Sequence, residues 1–320
     1  MRRSDGCLKC YENLGGEPGP LHERCSKAFF GTAAPPAIPY GLGELSALAR
    51  EVIREKTVIP GVQAKISLHL ERRGKESGKL TIVGLWGHFI LKPPVERYPE
   101  MPETEDLTMA LAWLFGIRTV EHCLLPLKSG ELAYITKRID RDPKTGSKIH
   151  MEDMCQITGR LTEDKYKGSM EQIGKAISRY SSNPLFDAIS FFEAALFCFL
   201  TGNADMHLKN FSLVYKDPSF VSLSPAYDLL ATRLLIPESK DPEESALTIN
   251  GKKSRLGPGD FAALARSLGM DSVQIDNVYK KFWKTVPDCI EFVDRGFIGA
   301  EKKAEFKSLI RSRAERLGLV

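Results

Sequence analysis

At 320 residues, with 42% hydrophobic and 27% charged residues, the chain is long enough for one or two buried cores and too apolar to be disordered throughout. Forty-five Lys and Arg against 41 Asp and Glu leave a net charge of +4, too mild to indicate nucleic acid by itself though compatible with a phosphate-bearing ligand. No apolar run follows Arg2 and Arg3, and the most apolar stretch, Phe191 to Leu200, carries Glu193 and falls well short of the about 20 residues that span a bilayer, so the expectation is a cytoplasmic protein with no membrane partner.

Residues 1–35 read as a segment apart. Cys7-Leu8-Lys9-Cys10 is followed by a Gly/Pro-rich stretch and then by His22-Glu23-Arg24-Cys25. Two thiolates two residues apart, with a second His/Cys pair across a turn, can close a tetrahedral zinc site in a segment too short for its own core. Cys7, Cys10, His22 and Cys25 are therefore candidate zinc ligands. The alternative is a reduced thiol cluster that packs on the next domain. A redox role is less favoured, because no βαβ pattern surrounds the CxxC. The other cysteines, Cys123, Cys155, Cys198 and Cys289, stand isolated among apolar residues and read as small core side chains.

After the breaker run 33–39, residues 43–55 carry helical spacing through Leu45, Leu48, Ala49 and Val52. The period then changes: 64–70, 79–83 and 88–92 alternate or run apolar between Gly-rich turns, which predicts a small antiparallel sheet. Residues 104–116 return to helix, with Thr104 as the expected cap. A strand over 131–140 closes at the turn 141–146. From about residue 150 helical patterns dominate, broken by a polar loop at 201–210 and a Pro-rich loop at 237–242. The expected fold class is α+β, with a small sheet-rich lobe over 36–141 and a larger helical lobe over 142–320.

The chemistry concentrates in Thr201-Gly-Asn-Ala-Asp205-Met-His207-Leu-Lys209-Asn210-Phe-Ser212, directly after the apolar helix. Phosphoryl transfer needs a carboxylate for the proton of the attacking hydroxyl, oxygen ligands for Mg²⁺ and cations on the phosphate. This loop offers all three, and Asp205 and Asn210 have the spacing of base and metal ligand in protein-kinase catalytic loops. Asp228, in Ala226-Tyr227-Asp228, can supply the other side of the metal. Taken singly these residues are as well read as turn formers and caps; the grouping is what points to chemistry. Upstream, Ile59-Pro60-Gly61-Val62-Gln63-Ala64-Lys65 can lay backbone N–H groups over phosphates. Lys92 is placed to reach α- and β-phosphates with Glu105 as its partner, or is a solvated strand-end lysine. Asn250 to Ser254 is no P-loop, since Ala246 stands where its first glycine should be.

With these residues in place the sequence resembles the HipA family of bacterial toxin kinases from about residue 57 onward. Gly61-Val62-Gln63-Ala64-Lys65, the strand ending in Lys92-Pro93, Glu105-x-x-x-Met109, Lys137-Arg138-Ile139-Asp140-Arg141, Met151-Glu-Asp-Met154, the Asp205 to Ser212 loop and Ala226-Tyr227-Asp228 occur in the family's order. The resemblance implies a two-lobed, protein-kinase-like fold and ATP- and Mg²⁺-dependent phosphorylation of a serine or threonine on a protein. Asp205 matches the family's base, and Asn210 and Asp228 its metal ligands. Gly61 to Lys65, Lys92, Lys137 to Ile139, His207 to Asn210 and Tyr227 match the nucleotide-lining set. The family precedent for a substrate is an aminoacyl-tRNA synthetase.

Two departures from the family pattern stand out. Only about 56 residues precede the phosphate loop, as in the shorter HipT-like form, whose missing small subdomain is a separate HipS-like protein. A HipB-type antitoxin, through which DNA would be met, is the other expected partner. In addition, the serines that usually precede the loop glycine are replaced by Val58 and Pro60, so the family's autophosphorylation switch is missing, with Thr57 the nearest hydroxyl. The alternative functions are a small-molecule kinase and a catalytically dead regulator acting with an antitoxin.

Overall fold

The computed structural model describes residues 5–45, 47, 64–73, 77–83, 87–142, 145–217 and 219–320. The chain forms two compact units. The first comprises Met1–Asp106, Val120–Arg138 and Arg295–Phe297; the second comprises Leu107–Thr119, Ile139–Asp294 and Ile298–Val320. A mixed helix-and-sheet architecture results, as expected.

The first unit is built on five antiparallel strands, β1 (Ile66–Arg73), β2 (Ser77–Ile82), β3 (Phe89–Lys92), β4 (His122–Pro126) and β5 (Leu132–Lys137), in the order β2-β1-β3-β5-β4. Alternation in β1 buries Ile66 and Leu68, which stand opposite the buried Leu91 and Phe89 of β3. Strand β4 has no sequence signal of its own, because Cys123, Leu124 and Leu125 form an unbroken buried run that offers no alternation to read. Helix α1 (Glu23–Phe30) lays Phe29 and Phe30 against Phe89, with ring centroids 5.8 and 5.5 Å away. Both outer strands are met by the N-terminal segment: Leu124 N–H donates to the Leu8 carbonyl (3.0 Å), and Ala37 bonds Gly78 and Leu80 (3.2 and 3.1 Å). Of the helix expected over 43–55, residues 42–45 and 47 are helical and the rest lies outside the described residues.

Helix α2 (Met101–Leu114) begins a turn before its expected cap. Thr104 lies inside the helix and donates its hydroxyl back to the Glu100 carbonyl at 2.7 Å, the alternative use of a threonine near a helix start. The chain passes from the first unit to the second within α2.

The second unit holds α3 (Met154–Ile157), α4 (Met170–Tyr180), α5 (Pro184–Thr201), α6 (Pro258–Ser267), α7 (Ser272–Phe292) and α8 (Ala300–Leu317). It is not helical throughout. Strands β6 (His150–Asp153), β7 (Ser212–Asp217) and β8 (Phe220–Leu223) form a three-stranded antiparallel sheet. They are short, and β6 is only half-buried with a polar sequence, so hydrophobic periodicity does not mark it.

Helix α5 is the axis of this unit. Pro184 opens it, and its 18 residues have a mean hydropathy of 1.5, enough in length and composition to cross a membrane; yet 67% of it is buried inside the protein. Phe197 and Phe282 both meet Phe115 (5.5 and 4.7 Å), Phe199 meets Phe261 (5.2 Å), and Phe191 meets Phe211 (5.1 Å). Its acids are paired, Asp187 with the Ser181 hydroxyl and Leu223 N–H, and Glu193 with Lys281 at 2.7 Å. The four isolated cysteines are buried, as the sequence suggested. Phe197 is fully buried, so Phe197→Ala is expected to lower stability by about 3–5 kcal/mol. Urea unfolding checks this, and a loss below about 1 kcal/mol would mean that Phe197 is not part of a close-packed core.

Candidate functional site

Helix α5 stops at Gly202, whose φ is +70°; a Cβ there would lie 2.7 Å from Leu309 and 2.9 Å from Arg233, so only glycine fits. The chain turns out of the core into the loop 203–210. Asn203 is buried and Asp205 is exposed. The Asp205 N–H donates to Asn203 Oδ1 (3.2 Å), and its carbonyl accepts from His207 N–H (2.9 Å) and Asn210 Nδ2 (3.0 Å). With its amide nitrogen committed there, Asn210 is left with its oxygen as the group that could bind a cation. Thr232 holds the start of the loop, accepting from Ala204 N–H (2.9 Å) and donating to the Gly202 carbonyl (3.1 Å).

Two neighbours were not singled out from the sequence. Tyr166 donates its hydroxyl to Asp205 Oδ1 at 2.8 Å and sets its ring edge-on to His207, centroids 5.1 Å apart. Burial, reinforced by the Asp205 charge, pushes this phenol well above its ordinary value, so it stays a donor at neutral pH. Asp153, part of the Met151 to Met154 motif, receives Lys209 Nζ at 2.6 Å and also caps α3 by accepting from Gln156 N–H.

Asp228 follows β8 with φ +56°, a left-handed conformation that aspartate tolerates and that concentrates at functional positions. Its neighbour Tyr227 donates to the Lys209 carbonyl (3.0 Å) and accepts from Ser212 Oγ (2.5 Å), which ties the Asp228 segment to the chain that carries Asn210. Burial also pushes the Tyr227 phenol upward. A cavity of about 300 Å³ in the same unit is walled by Arg118, Phe186, Glu193, Met206, Asn210 and Lys281, but by neither Asp205 nor Asp228.

In the first unit β3 ends in Lys92, 4% exposed, which is ion-paired with Glu105 of α2, 1% exposed. The ammonium lies 5.3 Å from the Tyr134 ring centroid. Removing one partner of such a buried pair typically costs about 3–5 kcal/mol, because the other charge is left uncompensated. Lys137 is engaged elsewhere: it pairs with Glu121, donates to the Ala28 carbonyl (3.3 Å) and sits 5.0 Å from the Phe29 ring. Arg138 is half-buried and its N–H donates to the His88 carbonyl (2.9 Å); Ile139 is half-buried, and Lys65 is exposed just before β1. Gly61, Val62 and Gln63 lie outside the described residues, as do Thr57, Val58 and Pro60. The expected residues thus gather as Lys92 with Glu105 in the first unit, and as the Asp205 to Asn210 loop with Tyr227 and Asp228 in the second.

The ligand atoms of Cys7, Cys10, His22 and Cys25 all lie within 4.8 Å of one another. His22 Nδ1 is 3.3 Å from Cys10 Sγ and 4.0 Å from Cys25 Sγ. Its Nε2 faces the Asn13 carbonyl at 2.9 Å and so carries the proton, which leaves the Nδ1 lone pair toward the thiols. Tetrahedral Zn²⁺, with Zn–S about 2.3 Å and Zn–N about 2.0 Å, needs ligand atoms about 3.5–4 Å apart. Burial raises the Cys7 thiol, but the N–H groups of Cys10, His22 and Lys9 outweigh it and bring Cys7 below its ordinary value. Cys25 is pushed up to about 12 by burial, by the hydrogen bond its thiol donates toward Cys10 and by the charges of Cys7 and Cys10. A divalent cation would relieve that repulsion. Three thiolates around it leave one negative charge, which the nearby exposed Arg24 guanidinium, itself favoured in its charged form by Cys10 and Cys25, partly offsets.

The family described as the HipA-like C-terminal domain matches residues 57–290. The protein Y4dM of Sinorhizobium fredii, named a candidate kinase, is 36% identical over 223 residues, covering 65% of this chain and 52% of that protein. The serine/threonine-protein kinase toxin HipA of Shewanella oneidensis is 29% identical over 195 residues, covering 54% of this chain and 42% of the toxin. This chain therefore spans about half the length of these relatives. Among solved structures, the Shewanella oneidensis HipA, HipB and operator DNA complex matches with a TM-score of 0.66 at 23% identity, over 84% of this chain and 70% of the matched one. The Helicobacter pylori proinflammatory kinase CtkA matches at 0.52 and 14% identity, over 79% and 93%. At these identities the solved structures speak to the fold, which is kinase-like, while the family match runs through β1, Lys92, Asp205 and Asp228 alike: the chain belongs to the HipA family.

Proposed function

We propose that the chain is an ATP- and Mg²⁺-dependent serine/threonine protein kinase in which Asp205 is the base, Asn210 and Asp228 hold the metal, and Lys92, oriented by Glu105, binds the α- and β-phosphates. The observation that supports it most is the loop in which an exposed Asp205 carboxylate and the Asn210 amide oxygen are held by one hydrogen bond, from Asn210 Nδ2 to the Asp205 carbonyl. Mg²⁺, when bound, neutralises the phosphate oxygens. Asp205 takes the proton of the acceptor hydroxyl as its oxygen attacks the γ-phosphorus and ADP leaves. The Tyr166 hydroxyl, on Asp205 Oδ1, competes with the acceptor hydroxyl for that carboxylate. Gly61 to Lys65, Lys137 to Ile139, His207, Lys209 and Tyr227 complete the proposed nucleotide-lining set. In this reading 1–35 holds zinc through Cys7, Cys10, His22 and Cys25, 36–141 is the nucleotide lobe and 142–320 the catalytic lobe.

Family membership supports the rest of the proposal. The substrate is a protein, with an aminoacyl-tRNA synthetase as precedent; a HipB-type antitoxin restrains the enzyme and is its link to DNA; the location is cytoplasmic.

Asp205→Ala and Asp228→Ala are each expected to lower transfer of labelled γ-phosphate into protein by about 10²–10⁴-fold, with cooperative unfolding near that of the wild type. Activity retained in either variant would remove that residue from the site. Tyr166→Phe keeps the ring on His207 but frees Asp205, so KM for a protein acceptor should fall several-fold with KM for ATP unchanged; a higher acceptor KM would mean that Tyr166 orients the base instead. Because Val58 and Pro60 cannot accept phosphate, peptide mapping after incubation with Mg·ATP should find residues 57–67 unmodified. Stoichiometric phosphate on Thr57, with loss of ATP binding, would restore the switch at that residue.

A further inference from the structure

Asp106 is fully buried on α2, and its carboxylate has two partners. The Tyr11 hydroxyl donates to Oδ2, and His122 Nδ1 lies 2.7 Å from Oδ1. A carboxylate held there is stable only while such partners persist. Tyr11 is 5% exposed and follows Cys10 directly. It sits at φ +64°, a conformation unfavourable for tyrosine, and its N–H closes the turn onto the Cys7 carbonyl at 2.9 Å. That turn is the first half of the four-ligand cluster. The short segment 7–25 has too little apolar surface to hold the turn by a core of its own, so the ion and a few external contacts must hold it. Among those contacts are the Tyr11–Phe297 rings, 5.1 Å apart, Glu12 with Arg295 at 2.8 Å and Leu8 with Leu124.

The neighbour of Asp106 on α2 is Glu105, the partner of Lys92. Successive residues project about 100° apart around a helix, so a fixed Asp106 also fixes the direction in which Glu105 points. Position 106 is held from the N-terminal segment and from β4, and position 105 from β3, with no residue between them.

We propose that the Cys7, Cys10, His22 and Cys25 site is a zinc brace which, through Tyr11 and Asp106, orients the Glu105–Lys92 pair, making Tyr11 a positioning residue for the nucleotide. The last step rests on the kinase reading above; the brace itself does not. Loss of the ion releases the Tyr11 turn, Asp106 loses its hydroxyl donor, and the first turns of α2 loosen.

The test uses the full chain and the variant Tyr11→Phe, which keeps every zinc ligand and the ring packing. Metal analysis should give one zinc per chain in both. In Tyr11→Phe, and in wild-type protein stripped by a chelator, backbone amide exchange should speed up over 101–106 and 122–125. The Kd for a non-hydrolysable ATP analogue with Mg²⁺ should rise about 10-fold, equivalent to about 1.4 kcal/mol. Protein purified without metal, or zinc-loaded Tyr11→Phe with wild-type exchange and affinity, overturns the proposal. Faster exchange in a protein whose wild type binds no nucleotide supports the brace and sinks the kinase reading, so the two failures are distinguishable.

Discussion

The last carbonyls of helix α5 have no partners within the helix and end where water does not reach, so other groups must satisfy them. Arg313 donates to the Phe199 carbonyl at 3.1 Å with its guanidinium 4.4 Å from the same ring. Asn203 N–H takes the Cys198 carbonyl at 2.8 Å, and Arg233 N–H takes that of Gly202 at 3.0 Å. Leu309 and Arg233 close the space around Gly202, and the chain leaves in one direction. That exit keeps Asn203 inside and brings Asp205 to the surface two residues later. A carboxylate proposed as a base needs access combined with immobility, and at Asp205 the first comes from where the helix ends and the second from the bonds at its rim.

The first unit solves a related problem with two acids. Glu105 and Asp106 are adjacent, both buried, on one helix, and they cannot share a counter-group. Each has its own: a cation for Glu105, and a phenol with an imidazole for Asp106. Such an arrangement is costly if half complete, since a buried carboxylate stripped of one donor keeps its desolvation penalty. The helix therefore has one orientation that satisfies both acids, a form of specificity that apolar packing alone does not provide.

Much of this is legible in residue order, for reasons that differ by element. The sheet of the first unit announces itself because Ile66 and Leu68 alternate with polar residues, and the cluster of Cys7, Cys10, His22 and Cys25 because ligand spacing is local. Helix α5 is evident from composition. Strand β4 is hidden by being buried on both faces, β6 by being polar and short. Tyr166 and Tyr11 could not be found by pattern, and Asp153 only inside a motif that gave it no role: each is an ordinary residue whose meaning comes from a partner, 39 positions away for Tyr166, 95 for Tyr11 and 56 for Asp153. Lys137 shows the converse, since the motif marks it and the fold turns its side chain toward Glu121 and α1.

The outer strands of the five-stranded sheet, β2 and β4, are each bonded by residues that come before the sheet in the chain, Ala37 and Leu8. An unpaired strand edge is a template for another chain. A truncated form that begins after residue 39 would present both edges at once, with the apolar run Cys123 to Leu125 behind one of them. Such a form would polymerise strand to strand from either side, so the N-terminal segment guards against self-association whatever else it binds.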